Sequence, residues 1–182
     1  MGSMPLRRIL ATSLILCGFA VLRGGLATAQ PATGADTPGP IDIVEIEGLI
    51  DPPMARYIAL RLGMAESEGA QAVVLRFDSP ASVGIDDEAL LTTVANAGVL
   101  VIAWVAPRGA VAHGLAGDLV FAANAAYSAD QATIEARTVG GFDGPQVEQA
   151  SSLTDLLTAL DGRTIESRSL DGTTIEGRTI ES

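Results

Sequence analysis

Two continuous apolar runs, Ala72–Phe77 and Val99–Val105, constrain this chain more than any other feature. Both are rich in Val, Leu and Ile, and the first is broken only by Arg76. A strand that is apolar at successive positions is buried on both faces, as strands of parallel sheets are. An earlier strand is expected at Ile41–Glu47, ending at Gly48. The segments between the strands have helical period. Met54, Ile58, Leu62 and Ala65 make one apolar stripe, with Asp51 placed to cap it, prolines in its first turn and Gly69 at its end. Asp86, Asp87 and Glu88 open a second helix, where negative charge suits the helix dipole. Its stripe is Leu90, Val94 and Ala97, and Gly98 stops it. Strand, helix, strand, helix, strand with crossovers of this length predicts parallel strands and right-handed connections.

Farther along the pattern weakens. Arg108–Gly117 is small and Gly/Ala-rich and predicts a poor helix. Leu119–Ala122 and Ala125–Tyr127 read as two further short strands. After Ala136 come the breakers Gly140-Gly141 and Gly144-Pro145, then a short helix over Leu153–Leu160. The tail repeats Thr-Ile-Glu at 164–166, 174–176 and 179–181, with hairpin-type turns at Asp161-Gly162 and Asp171-Gly172. Copies spaced ten and then five apart are too irregular for a solenoid. Residues 137–182 therefore read as a short helix plus a hairpin or a loose tail.

The first residues carry targeting information. Arg7 and Arg8 precede the apolar run Ile9–Leu22, and Ala27-Thr28-Ala29 is an A-x-A cleavage signal. Residues 1–29 are thus expected to be a signal peptide, and 30–40 a disordered Pro/Gly/Thr/Ala linker. The expected location is extracytoplasmic, with membrane attachment only if the signal segment stays uncleaved. Cleavage removes Cys17, so the mature chain has no thiol for a disulfide or metal site. With a single His and no phosphate-binding Gly-rich loop, no metal or cofactor is expected. The 182 residues include 22 acidic and 11 basic side chains, every base being Arg. That balance argues against nucleic acid, whose affinity comes from neutralised phosphates.

In open parallel sheets, sites gather beyond the carboxyl ends of strands. Two such ends stand out here: Asp78-Ser79-Pro80-Ala81-Ser82, and Ala106-Pro107-Arg108-Gly109-Ala110 followed by His113 and Gly114. Ile46-Glu47-Gly48-Leu49-Ile50-Asp51-Pro52, Gly69–Leu75, Asp78-Ser79-Pro80, Val105-Ala106-Pro107, Ala122-Ala123-Asn124 and Leu153–Arg163 resemble the NfeD-type membrane-associated serine proteases of the Clp class. The resemblance implies a ClpP/crotonase-like α/β fold of stacked strand–helix units with a mostly parallel sheet, over 41–136. It also implies peptide as a ligand, and self-association or pairing with a related active protease subunit. Arg108, Val111 and Leu115 are the expected contact residues on the small-residue helix.

The departures from the family are as informative as the matches. Laid onto this chain, the family's nucleophilic serine falls on Gly114, and its oxyanion glycines fall on Ala81 and Ser82. The family's general base is a Lys, and this chain contains none. Acyl transfer by a Ser–Lys pair needs both groups within hydrogen-bond reach. The expectation is a non-catalytic peptide-binding or assembly module. Two alternatives stay open: an unconventional serine endopeptidase, and a decayed fragment without activity. The peptidase would draw its nucleophile from Ser79, Ser82 or Ser128 and use His113, oriented by Asp78 or Asp118.

Overall fold

The computed structural model describes residues 38–137, 144–168 and 174–181. The expected signal segment, most of the linker, and the Gly140-Gly141 and Asp171-Gly172 pairs lie outside the described residues. No helix among the described residues is long and apolar enough to cross a membrane.

The chain alternates as its apolar runs predict. Strand β1 (Ile41–Ile50) leads into helix α1 (Pro52–Glu68), then β2 (Ala72–Ser82), α2 (Asp87–Ala95) and β3 (Leu100–Val105). Asp51 caps α1, its carboxylate accepting the Met54 N–H at 2.9 Å. Gly69 ends the helix in the left-handed conformation at φ 71°, returning its N–H to the last carbonyls. Both strands outrun their expected ends. β1 continues through Gly48, at a register irregularity between Glu47 and Leu49, and β2 carries its pairing through to Ser82.

Beyond β3 two expectations are corrected. Arg108–Gly117 is not a helix: it is a turn followed by strand β4 (Val111–Gly114) and the start of helix α3 (Leu115–Ala122). Leu119–Ala122, expected as a strand, is the second half of α3. Residues Leu115–Val120 are all buried, so this helix has no polar stripe, and a short apolar segment without a stripe cannot be told from a strand by period. Arg108, Val111 and Leu115 therefore share no helix face, and Leu115 is fully buried and offers no outer contact. Strands β5 (Ala125–Ser128), β6 (Thr133–Ala136) and β7 (Val147–Gln149), helix α4 (Leu153–Leu160) and the antiparallel pair β8 (Thr164–Arg168) and β9 (Thr174–Thr179) follow.

Seven strands form one sheet with parallel pairing throughout. β2 is its branch point. It pairs with β1 on one side along its length. On its other side it pairs with β3 over Ala72–Phe77, then with β4 where Ser79 meets Ala112. One limb continues β3–β5–β7 and the other β4–β6. Each side of the sheet has its own core. Val73, Leu75, Phe77, Val101 and Val105 pack with Ile58, Leu62, Leu90, Val94, Leu115 and Leu119 from α1, α2 and α3. Val74, Ile102, Trp104 and Tyr127 pack with Leu156, Leu160, Ile165 and Ile180. Among the described residues after Ala136, β7 extends the main sheet, and Leu156, Leu160, Ile165 and Ile180 cover its second face.

Candidate functional site

The branch at β2 brings three chain segments to one place: the end of β2, the β4–α3 turn, and the chain leaving β6. Gly114 is the turn residue, with φ 61° and ψ −120°, and it caps α3 without a side-chain hydrogen bond. A strained residue on a sharp strand-to-helix turn is how α/β enzymes display a nucleophile at the top of a sheet. Positive φ comes without penalty only to glycine. A Cβ at Gly114 would meet the Arg137 Cδ and Nε at 3.5 Å, an ordinary contact. There is room for a side chain, and a guanidinium faces that room.

Two carboxylates hold Arg137. Asp118 Oδ1 accepts its backbone N–H at 2.8 Å, and Asp118 Oδ2 accepts Nε and Nη2 at 3.2 Å each. Asp87 Oδ2 accepts Nη1 at 2.7 Å. Asp118 lies in the first turn of α3 and Asp87 opens α2, so one guanidinium ties α2, α3 and the end of β6 together. The hydrogen bond to Asp87 is the main cause that moves the Arg137 pKa above its ordinary value. Gly117, one turn into α3, lets the helix lie directly on β6. A Cβ there would come within 2.6 Å of the Glu135 carbonyl carbon and 2.8 Å of the Ala136 nitrogen.

The remaining candidate residues are placed apart. Asp78 Oδ1 accepts the Val111 N–H at 3.2 Å and so ties β2 to β4. Ser79 is fully buried, and its hydroxyl donates to the Ala81 carbonyl at 3.4 Å. The Ser82 hydroxyl donates to Asp87 Oδ1 at 3.4 Å. His113 sits in register with Glu135, and its Nε2 is buried without a hydrogen-bond partner among the described residues. Ser128 ends β5 on the other limb of the sheet. Asp118 binds Arg137, and the hydroxyls of Ser79 and Ser82 find partners other than the imidazole. Ala81 and Ser82 are strand residues paired with Leu49 and Ile50. Among the described residues the only non-glycine with positive φ is Gln131, so the β2 end makes no glycine-like turn at Ala81 and Ser82.

Sequence reasoning passed over Arg137. Its partners lie 50 and 19 residues away, and nothing local marks it. The composition held one hint: with Lys absent, any cation near the Gly114 turn had to be Arg or His113.

No protein-family model matches the chain, and no curated protein matches it. Solved structures do. The 1510-N membrane protease specific for a stomatin homolog from Pyrococcus horikoshii aligns with a TM-score of 0.63 at 14% identity, over 79% of this chain and 87% of that one. A lysine-to-alanine mutant of the 1510-N membrane-bound stomatin-specific protease, in complex with a substrate peptide, aligns with a TM-score of 0.65 at 12% identity, over 80% and 90% of the two chains. The fold is Clp-like.

The Gly114 turn presents backbone alone, and the side chain that a Cβ there would meet is Arg137. Arginine stays protonated and has no acceptor to offer a proton. Arg137 thus offers no base at the turn, and its charge is already met by Asp87 and Asp118. A second polar cluster sits on the other limb. Arg163 donates to both Glu148 oxygens and to the Tyr127 hydroxyl, beside a cleft of about 320 Å³ lined by Asn124, Gln146 and Thr164 among others.

Proposed function

We propose that this Clp-like protease-fold domain recognises peptide, or assembles with other chains, without hydrolysing what it binds. The observation that carries the reading is Gly114. It stands in the strand-to-helix turn where the resemblance puts a serine, and the group facing it is a guanidinium bound to two carboxylates. Nucleophilic catalysis needs an O–H and a base within about 2.6–3.2 Å of each other. Glycine supplies no O–H and arginine no lone pair. His113 supports the same reading, because its Nε2 has no hydrogen-bond partner among the described residues. Peptide recognition needs neither group, since main-chain pairing to a strand edge provides affinity. The lysine-to-alanine 1510-N mutant holds a substrate peptide, and by analogy a chain without lysine keeps that capacity.

Fluorophosphonate labelling tests the reading. The purified chain should stay unlabelled, and so should Gly114→Ser, because Arg137 cannot take the proton. A mixed peptide library read by mass spectrometry should come back intact. Specific cleavage lost on Ser79→Ala, Ser82→Ala or His113→Ala would replace this reading with the unconventional peptidase. Export is part of the proposal and rests on Arg7, Arg8, the apolar run and Ala27-Thr28-Ala29. N-terminal sequencing of the secreted protein should begin at Gln30, and a membrane-held product that keeps Arg7 would show an anchor instead.

A further inference from the structure

The outer edge of β1 has no part in the Gly114 site. Among the described residues this ten-residue strand pairs with β2 alone. The carbonyls of Pro40 and Ile50 both accept from the β2 side, from the N–H groups of Gln71 and Val83 at 3.0 Å. Main-chain groups alternate sides along a strand, so Ile43, Glu45 and Glu47 turn theirs to the open side. Such an edge is a template for another strand, and proteins usually guard it with charge, Pro, a bulge or short length. Residues Ile41–Ile50 contain no Pro, and before the irregularity between Glu47 and Leu49 the guard is the charge of Glu45 and Glu47, which opposes strands of like charge only.

The side chains around the edge suit a partner. Ile43 and Leu49 are exposed on the strand, and Tyr57, Leu60 and Met64 are exposed on α1, Leu60 by 60%. One flank of α1 is marked by Glu66, which lies against Gly98 in the approach to β3. The opposite flank is marked by Arg61, which reaches Asp42 on β1 at 3.1 Å. Tyr57 and Met64 stand four before and three after Arg61, so they share its flank and run along the edge.

Charge selects the occupant. The exposed carboxylates of Glu45 and Glu47 share the one guanidinium of Arg76, which leaves excess negative charge at the edge. A second copy would bring the same acidic strand against it, and like charges facing across strands are destabilising. We propose that the β1 edge docks an extended segment of a partner protein in which Lys or Arg alternates with apolar residues. This does not rest on the peptide reading of the Gly114 turn, which ends β4, between β2 and β6.

Two short blocked peptides serve as probes, one alternating Lys and Val and the other Glu and Val, each titrated into the isotope-labelled full chain. The Lys/Val peptide should shift the amide signals of Ile43, Glu45, Glu47, Tyr57 and Met64, and slow hydrogen exchange at Ile43 and Glu45. The Glu/Val peptide should bind about tenfold more weakly. Glu45→Gln with Glu47→Gln should erase that preference, and Ile43→Pro should weaken both peptides by removing an edge N–H. The Gln pair leaves the backbone intact, so the test stands even if the proline variant unfolds. Equal binding of the two peptides overturns the proposal, and so does dimerisation without any peptide response. Shifts centred only on Ala81–Gly84 and Arg137 also overturn it, and would favour binding at the Gly114 turn instead. Absence of shifts around that turn, with the β1 response present, would count against peptide binding there alone.

Discussion

The two faces of the sheet are covered by different means. On one face, α1 and α2 lie in the crossovers between the strands they cover, and α3 follows β4 directly. Cover and covered are neighbours in sequence. On the other face, Val74, Ile102, Trp104 and Tyr127 are covered by Leu156, Leu160, Ile165 and Ile180 from α4 and the hairpin, far along the chain. The difference teaches what a continuous apolar strand does and does not say. It states that both faces are buried, and leaves open which segment buries them. Crossover helices announce themselves through their stripes. The second cover is found only by subtraction, as the apolar segment left once the crossovers are assigned.

The sharpest way to break the comparison is a matched pair of truncations. Leu62 on the first face and Leu160 on the second are both buried. Leu62→Ala and Leu160→Ala should each lose about 3 kcal/mol in urea unfolding. The only tryptophan distinguishes them, since the Trp104 indole donates to the Ala150 carbonyl at 2.8 Å on the second face. Emission in the native state should shift to the red in Leu160→Ala and stay put in Leu62→Ala. A loss below about 0.5 kcal/mol in Leu160→Ala, the range of unremarkable surface changes, would mean the second cover is loosely held.

Two glycines on the first face sharpen the comparison with smaller effects. At Gly117 the obstacle is space, because a Cβ would press on the backbone of Glu135 and Ala136. Gly117→Ala should cost about 2 kcal/mol net, overpacking outweighing the roughly 1 kcal/mol gained in helix propensity. At Gly114 space is available and the obstacle is φ 61° with ψ −120°. Gly114→Ala should cost about 1–2 kcal/mol from backbone strain alone. Thermal unfolding of the two variants measures close approach and dihedral strain separately. If Gly114→Ala is neutral, the turn relaxes readily and its resemblance to a nucleophile elbow loses force.

What the sequence disclosed follows the same division. The parallel strand–helix order, the Asp51 and Gly69 caps and the Ile58–Leu62–Ala65 stripe are local, and the structure has them. Helix α3 shows no stripe because buried residues surround it, and β4 is only four residues long. Gly114 was reached through the resemblance, and its backbone conformation could not be. The Arg137–Asp118–Asp87 cluster was invisible, since each bond spans distant segments. Asp87 served in the sequence reading only as a helix-dipole partner, and its carboxylate turns out to bind a side chain as well.

The smallest effect compares the second limb's ion pair with this cluster. Arg163 and Glu148 pair through both carboxylate oxygens, with side chains 39% and 44% exposed. The hydrogen bond from Arg163 is the main cause that pulls the Glu148 pKa below its ordinary 4.5. A carboxyl depressed in the folded state adds stability above its unfolded pKa, and that stability is lost as pH falls through the lower folded value. Water and salt screen a pair this exposed, so the contribution should stay below about 1 kcal/mol. Glu148→Gln should therefore lower the urea midpoint slightly at neutral pH, and the gap should close once the solution is acid enough to protonate Glu148 in the parent. Added salt at neutral pH should narrow the gap too. Arg163 keeps its bond to the Tyr127 hydroxyl at 2.8 Å in the variant, so the second face stays anchored and Trp104 emission should not move. A gap that persists unchanged in acid would assign the loss to packing around β7, not to charge.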